Sequence, residues 1–259
     1  MDQHTKHILW ALLAFVVLFP VANIAFHFSS TPNVHGAGEP APSDSPSQPP
    51  SALVPEKPSE PSLDNNASAF MTKRFNGISM SVPKTWRVIG ENDTASLNTN
   101  SEALLEELGI AVEQGNNTIL WAANARDDAN VTRATMRLSV RMATTAGQAE
   151  LREIASTQPR EAVERELMTA AEETTAAMRK IPSTIYYNVT DVGLRDNGAI
   201  ICSWIRSEYD RGKNPTTSDM WICPVSDRTF KLTTSYSNAR EALYAATVQH
   251  AWRSLSLQP

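Results

Sequence analysis

The two cysteines of this 259-residue chain constrain its fold more than any other feature of the sequence. Cys202 and Cys223 lie in two apolar stretches on either side of the segment DRGKNPTTSD, at residues 210–219. That segment is rich in glycine, asparagine and proline, which favour turns. The sequence therefore predicts an antiparallel hairpin with one cysteine on each strand.

One register of this hairpin places Cys202 directly opposite Cys223. The same register opposes an aromatic, an aliphatic and an ionic pair, and such pairs each stabilise a sheet by a few tenths of a kcal/mol: Trp204 with Trp221, Ile200 with Val225, and Arg206 with Asp219. Directly opposed residues at a non-hydrogen-bonded position have Cα atoms about 4.5 Å apart, which suits a disulfide. We predict a structural disulfide. Two buried thiols are the alternative, and a redox-active pair is disfavoured because there is no Cys-x-x-Cys motif.

A second constraint is the uncharged apolar run ILWALLAFVVLFPVANIAF at residues 8–26. As a helix it would span roughly 28 Å, close to the hydrocarbon thickness of a bilayer. Lys6 precedes the run, and the next basic residue is Lys57. The positive-inside rule then predicts a cytoplasmic tail at residues 1–7 and a transmembrane anchor at residues 8–28.

This pattern predicts a single-pass protein of the cytoplasmic (inner) membrane, in contact with the lipid bilayer through residues 8–28. Its C-terminal domain would be periplasmic or extracellular, an oxidising location that permits a disulfide. A cleaved signal peptide is the alternative, but its apolar core would be shorter and would be followed by a small-x-small site.

Residues 29–66 differ in composition from the rest of the chain. Nine of the 16 prolines lie between residues 31 and 66, with serines and acids among them. A segment with so little apolar mass cannot offset its conformational entropy by burial. We interpret it as a disordered, Pro-rich linker.

The remaining residues, 67–259, alternate between strand and helix patterns. In the stretch 134–144, apolar residues alternate with Arg137, Ser139 and Arg141, which predicts a strand with one buried and one solvent-exposed face. Further strands are predicted within 75–90 and at 117–125, 183–194, 199–209, 219–225 and 229–236, and helices at 100–115, 148–156, 159–180 and 238–257. The fold class is α+β, with an antiparallel sheet covered by helices.

Two short motifs and their order resemble a known family. The strand-Pro-x-x-Trp opening ISMSVPKTW and the final Tyr…Trp-x-Ser-Leu frame a four-strand meander. This arrangement resembles the PsbP-like (Mog-like) α/β/α sandwich over residues 70–258, including its DcrB-like bacterial envelope members. The helix at 100–115 and the helical insert at 146–180 depart from the family pattern. The resemblance implies a binding, assembly or chaperone-like role without catalysis.

Few residues suggest catalysis or a cofactor. His250 is the only histidine of the domain, and no Gly-x-Ser-x-Gly motif accompanies it, so a Ser-His-Asp triad is disfavoured. A zinc site is disfavoured for the same lack of ligands, and Asp127-Asp128 is better explained by solvation than by calcium. No glycine-rich phosphate-binding motif occurs. We predict that the protein is not an enzyme and that it binds no cofactor and no metal ion.

The domain carries 21 basic and 22 acidic residues, so nothing favours nucleic-acid binding. Trp204 and Trp221 could form an aromatic patch if they lie on an outer sheet face, and core packing is the alternative. The sequence thus favours a membrane-anchored, extracytoplasmic binding or assembly module with an unidentified protein partner or small ligand. A structural subunit of an envelope or secretion complex, and an envelope hydrolase, are the alternatives.

Overall fold

The computed structural model describes nine parts of the chain: residues 1–13, 69–75, 77–90, 93–95, 117–142, 147–176, 179, 184–210 and 215–258. The predicted linker, the predicted helix at 100–115 and the predicted anchor from residue 14 onward lie outside these residues. None of the helices within them is long and apolar enough to cross a membrane.

In the part of the chain that the structure describes, ten strands form two antiparallel sheets. The strands are β1 (Phe70–Phe75), β2 (Ile78–Pro83), β3 (Arg87–Val88), β4 (Asn117–Arg126), β5 (Thr132–Arg141), β6 (Tyr186–Asp196), β7 (Ile201–Asp210), β8 (Thr216–Val225), β9 (Arg228–Ser237) and β10 (Ser256–Leu257). The larger sheet has the order β3-β4-β5-β9-β8-β7-β6, and the smaller has the order β1-β2-β10. The predicted meander is confirmed as β6 to β9, where each strand pairs with the next.

The longer helices of the described residues are α1 (Gln3–Leu13), α2 (Gln148–Thr157), α3 (Arg160–Thr175) and α4 (Glu241–Arg253). Helix α4 packs with β2 and one face of the larger sheet in a first apolar cluster. Helices α1, α2 and α3 share a second apolar cluster with the other face. The α+β class is therefore confirmed, with antiparallel sheets and helices on both sides of the larger one.

This second layer corrects the expectation that β5 has a solvent-exposed face. Arg137 is 1% exposed and Ser139 is fully buried, whereas Arg141 is half-buried. Alternation along a strand identifies which residues share a face, but it does not tell what covers that face. Both faces of β5 are buried at the centre of the larger sheet.

Two strands, β1 and β10, were not predicted from the sequence. Strand β1 ends at Phe75, where the stretch predicted to hold strands begins, and from Met71 to Phe75 its residues alternate between half-buried and exposed. Strand β10 has only two residues, Ser256 and Leu257, which pair with β2. The side chains of Ser79 and Ser256 are hydrogen-bonded across that pair, at 2.9 Å. Such a short strand has no periodicity that a sequence pattern could show.

We expect Asn197→Ala to lower the free energy of unfolding by about 1–3 kcal/mol. The Asn197 amide donates to the carbonyl oxygens of Trp252 (3.0 Å) and Leu255 (2.8 Å) at the end of α4. Its Oδ1 accepts from the backbone N–H groups of Ala199 and Ile200. The substitution leaves these groups without that side-chain partner. Urea unfolding measures the loss. Asn197→Asp keeps the acceptor but places a carboxylate oxygen against the carbonyl oxygens of Trp252 and Leu255, so it should destabilise the protein at least as much as Asn197→Ala.

Candidate functional site

The predicted disulfide is present. Cys202 and Cys223 are bonded across β7 and β8, with their Cα atoms 4.4 Å apart. Both side chains are fully buried in the first apolar cluster. The bond therefore clamps the centre of the meander inside the core.

The register around the disulfide also follows the prediction. Trp204 lies opposite Trp221, and Arg206 lies opposite Asp219. The buried Asp219 carboxylate accepts two hydrogen bonds from the Arg206 guanidinium, at 2.9 and 3.0 Å, and one from the Trp204 indole N–H at 3.0 Å. The hydrogen bonds to Asp219 raise the pKa of Arg206, so its guanidinium stays charged. Asp219 on β8 therefore binds two side chains of β7, those of Trp204 and Arg206.

The two tryptophans lie in the core packing of the first cluster. The rings of Trp221 and Trp252 stack with centroids 5.6 Å apart. The Arg195 guanidinium carbon lies 4.2 Å from the centre of the Trp204 ring, and that of Arg206 lies 5.6 Å away. Trp204 is 6% exposed and Trp221 is 1% exposed. Their indoles are thus largely covered, by guanidinium groups and by a third indole.

The other candidate residues have structural partners. The ring of His250 lies against that of Phe70, with centroids 3.9 Å apart. Asp127 accepts a hydrogen bond from the Val131 backbone N–H and pairs with Arg133 at 2.7 Å; these two contacts, the first being the stronger, lower its pKa. Within the ranges described above, no three His, Cys, Asp or Glu side chains are grouped to hold a metal ion.

A different group of residues forms the chemically most unusual part of the molecule. On the face of the larger sheet that belongs to the second cluster, Arg137 on β5 lies opposite Thr233 on β9, and Ser139 lies opposite Lys231. Lys231 pairs in turn with Ile222 on β8, and Ile222 with Ser203 on β7. We call these five polar residues the basic sheet face: Arg137, Ser139, Ser203, Lys231 and Thr233.

The basic sheet face is buried. Arg137 is 1% exposed, and Lys231 is fully buried. Burial lowers the pKa of Lys231, with a smaller contribution from the neighbouring Arg141, and it lowers the pKa of Arg137 to about 10. Among the side chains that the structure describes, the hydroxyl groups of Ser139, Ser203 and Thr233 have no hydrogen-bond partner. The face therefore combines two buried basic side chains with three hydroxyl groups that have no hydrogen-bond partner among the described residues.

An apolar groove adjoins the basic sheet face. Helix α1 lies against α3 and β8, and its Leu9 is fully buried in the second cluster together with Leu167 of α3 and Met220 and Ile222 of β8. Lys6 forms an ion pair with Glu166 of α3 at 3.6 Å. We call the space between α3 and β8 that Leu9 fills the α1 groove. Met220 and Ile222 lie opposite Thr233 and Lys231 of β9, respectively.

The alternation of Arg137 and Ser139 with apolar residues is visible in the sequence, but it led to the prediction that both side chains are exposed to solvent. The helices predicted at 148–156 and 159–180 could have indicated that this face is buried, because the apolar stripe of such a helix must pack against another surface, such as a sheet face. Lys231 and Thr233 were within a predicted strand and were not singled out. The packing of α1 against α3 and β8 was not predicted, because residues 8–13 of α1 belong to the apolar run that was assigned to the bilayer.

No family model matches this chain, and no curated protein matches it either. Solved structures do match. PsbP (CyanoP) from Synechocystis sp. PCC 6803 is 8% identical, with 78% of this chain and 100% of that one covered and a TM-score of 0.45.

Two further matches have a similar extent. LpqN of Mycobacterium tuberculosis, described as involved in cell envelope biogenesis, is 10% identical over 73% of this chain and 91% of its own, with a TM-score of 0.39. The Ran-binding protein MOG1P of Saccharomyces cerevisiae is 9% identical over 73% and 96%, with a TM-score of 0.34. PsbP and MOG1P are thus among the matching structures, as the PsbP-like (Mog-like) resemblance of the sequence led us to expect.

Proposed function

We propose that this protein is a membrane-anchored, extracytoplasmic binding module that performs no catalysis and binds a small anionic molecule at the basic sheet face. The observation that carries the proposal is a set of buried hydroxyl groups, at Ser139, Ser203 and Thr233, that have no hydrogen-bond partner among the described residues and lie near Arg137 and Lys231. Hydroxyl, ammonium and guanidinium groups are the donors that carboxylates and phosphates require.

The arrangement of the other ionisable side chains supports a binding role over a hydrolytic one. His250 contacts Phe70, and Asp127 is engaged within its own loop. Asp219 is held by three donors at the centre of the protein. A hydrolase needs a carboxylate or imidazole beside the substrate, in reach of the bond to be broken. The basic sheet face instead offers hydrogen-bond donors that could bind a negatively charged group.

The anchor at residues 8–28 is the second part of the proposal. It is supported by the uncharged run of the sequence and by the distribution of basic residues around it. N-terminal sequencing of protein from the membrane fraction tests it. A chain that starts near residue 1 and fractionates with the inner membrane agrees with an anchor. A mature N-terminus beyond residue 28 indicates a cleaved signal peptide and a freely exported protein.

Inorganic phosphate and citrate are suitable first probes of anion binding. We expect each to raise the melting temperature of the full-length protein in a saturable way, because a ligand that binds only the folded state stabilises it. The substitution Thr233→Val keeps the shape of the side chain and removes one hydroxyl. We expect it to weaken binding roughly tenfold, the effect of a lost hydrogen bond to a charged group.

The matched control is Arg74→Met, which removes one positive charge from an exposed position of β1. It should leave the shift by phosphate unchanged. An equal loss of binding in Arg74→Met and Thr233→Val would indicate attraction to overall charge and would contradict the assigned site. The absence of any shift with both probes, with no anion retained in native mass spectrometry, would overturn the proposed function.

A further inference from the structure

We propose that Asn197 is a site of spontaneous deamidation, which the native fold suppresses and which becomes reactive when the C-terminal end of α4 moves away from it. The site lies in the turn between β6 and β7, where Asn197 is followed by Gly198. The product is an aspartate or an isoaspartate at position 197. The inference goes beyond the proposed function and does not depend on it.

The turn contains the residue pair in which this reaction meets the least steric resistance. Glycine has no Cβ, so its backbone nitrogen is open to approach. Gly198 is exposed, has a φ of +90°, and has no atom within 4 Å of the place where a Cβ would stand. Its nitrogen is therefore the nucleophile that can reach the side-chain amide of Asn197.

The reaction needs only water. A bond forms between the Gly198 nitrogen and the Asn197 Cγ, the bond from Cγ to Nδ2 breaks, and ammonia leaves with the proton that the Gly198 nitrogen has lost. Water then opens the resulting cyclic imide at either of its two carbonyl carbons, which gives aspartate or isoaspartate. The net reaction consumes water and releases ammonia, with no oxidant or reductant.

In the folded protein, hydrogen bonds hold both reacting groups. The Gly198 N–H donates to the Asp196 carboxylate, with 2.8 Å between N and Oδ1. The Asn197 Oδ1 accepts from the backbone N–H groups of Ala199 and Ile200, at 3.0 and 2.9 Å. Rotation of the amide toward the Gly198 nitrogen breaks these bonds, and groups that are held out of the attack geometry react slowly.

Helix α4 holds the other end of the same amide. The Asn197 Nδ2 donates to the carbonyl oxygens of Trp252, at 3.0 Å, and Leu255, at 2.8 Å. Because Nδ2 is the leaving group, its departure as ammonia requires the loss of both bonds. The reaction at Asn197 is thus coupled to the position of the end of α4.

We expect this end of α4 to open more readily than the centre of the larger sheet, since helix ends and chain termini open at a lower free energy. The chain after α4 pairs with β2 through the two residues of β10. Ser254 adds one contact, since its hydroxyl oxygen accepts from the Ser81 N–H at 2.8 Å. When these contacts open, the Asn197 amide keeps only the bonds within its own turn.

The product cannot restore the original contacts. In aspartate, a carboxylate oxygen replaces Nδ2 and faces the carbonyl oxygens of Trp252 and Leu255, so that acceptors meet acceptors. In isoaspartate, the backbone gains a methylene group within the turn. A brief opening of α4 is thereby converted into a permanent loss of its contact with the turn between β6 and β7.

Peptide mapping of the purified full-length protein by mass spectrometry tests this inference. The chain contains a second Asn-Gly pair, at residues 76 and 77, which serves as the internal standard. In urea at mildly alkaline pH, we expect Asn197 and Asn76 to deamidate at similar rates. In the folded protein at the same pH and temperature, Asn197 should deamidate at least about tenfold more slowly than in urea, because the reaction requires local opening.

Variants connect the rate to the end of α4. Ser254→Ala removes the hydroxyl that holds this end on β2 and should raise the rate at Asn197 in the folded protein about fivefold, the equilibrium effect of one lost hydrogen bond. Gln258→Ala removes another side-chain contact with β2 and should act in the same direction. The matched control is Ser156→Ala, whose exposed hydroxyl bonds only within α2, and it should leave the rate unchanged. Circular dichroism verifies that each variant is folded.

Each possible result supports or contradicts a stated part of the inference. A rate in urea far below that of Asn76 contradicts the site itself. Equal rates at Asn197 in urea and in the folded protein contradict the protection by the fold. A rate that neither Ser254→Ala nor Gln258→Ala raises, or that Ser156→Ala raises equally, contradicts the role of α4. Slow reaction in the folded protein that is accelerated only by the variants at the end of α4 supports the inference, whatever the anion-binding tests show.

Discussion

Replacement of Asp219 by alanine is expected to lower the free energy of unfolding by about 3–5 kcal/mol, the usual effect of removing one member of a buried ion pair. The substitution leaves Arg206 without its carboxylate partner and the Trp204 indole N–H without its acceptor. Asp219 is fully buried, so water cannot take its place without opening the sheet. Urea unfolding, followed by tryptophan fluorescence, measures the change.

Two companions make this test specific. Asp227→Ala removes a carboxylate that is 72% exposed and should unfold like the wild type. The double substitution Arg206→Met with Asp219→Leu removes both charges and should be less destabilising than Asp219→Ala alone, because no charge is left unpaired. A loss from Asp219→Ala below about 1 kcal/mol would contradict the ion pair as a central element of stability.

Removal of the disulfide is the second large effect. The double variant Cys202→Ala and Cys223→Ala should lose roughly 3 kcal/mol, which chain-entropy models give for a loop of this size. The bonded residues are 21 positions apart. Wild-type protein that has been unfolded, reduced and refolded with reductant should show a comparable loss. Circular dichroism during thermal unfolding provides the measurement.

Alkylation offers an independent check of the same bond. Oxidised protein, denatured without reductant, should take up no iodoacetamide, and its intact mass should increase by two adducts only after reduction. Two adducts without reductant would contradict the bond. A double variant as stable as the wild type would instead show that the apolar packing around Cys202 and Cys223 holds the hairpin by itself.

The hairpin of β7 and β8 could be predicted from the sequence because the residues that define it lie close together in the chain. Turn-forming residues separate two short strands, and one register matches cysteine with cysteine, tryptophan with tryptophan, and Arg206 with Asp219. A slip by one residue would disrupt every pair and turn each side chain to the opposite face. Few alternatives remain, so the sequence pattern alone defines the register.

The basic sheet face could not be predicted in the same way. Its members come from β5, β7 and β9, and the contact between β5 and β9 has no local signal in the chain. The polar residues of β5 were assigned to solvent because alternation alone cannot distinguish water from a covering layer. The pair of Lys231 and Ser139 becomes visible only when distant strands are placed side by side. The site is therefore a product of topology and not of any motif.

The pairing of β5 with β9 has a consequence for the order of folding. Thr135 and Ser235, whose hydroxyl groups are 2.7 Å apart, are separated by 100 positions, whereas the cysteines are separated by 21. Short loops close at a smaller entropic cost, and sheets with distant pairings assemble slowly. On a chain that emerges from its N-terminus, β7 and β8 are complete before β9 exists. We therefore expect the disulfide between Cys202 and Cys223 to form before β5 pairs with β9. The pairing of β5 with β9 would then be the last step in the assembly of the larger sheet, and it would take place on a hairpin that is already cross-linked.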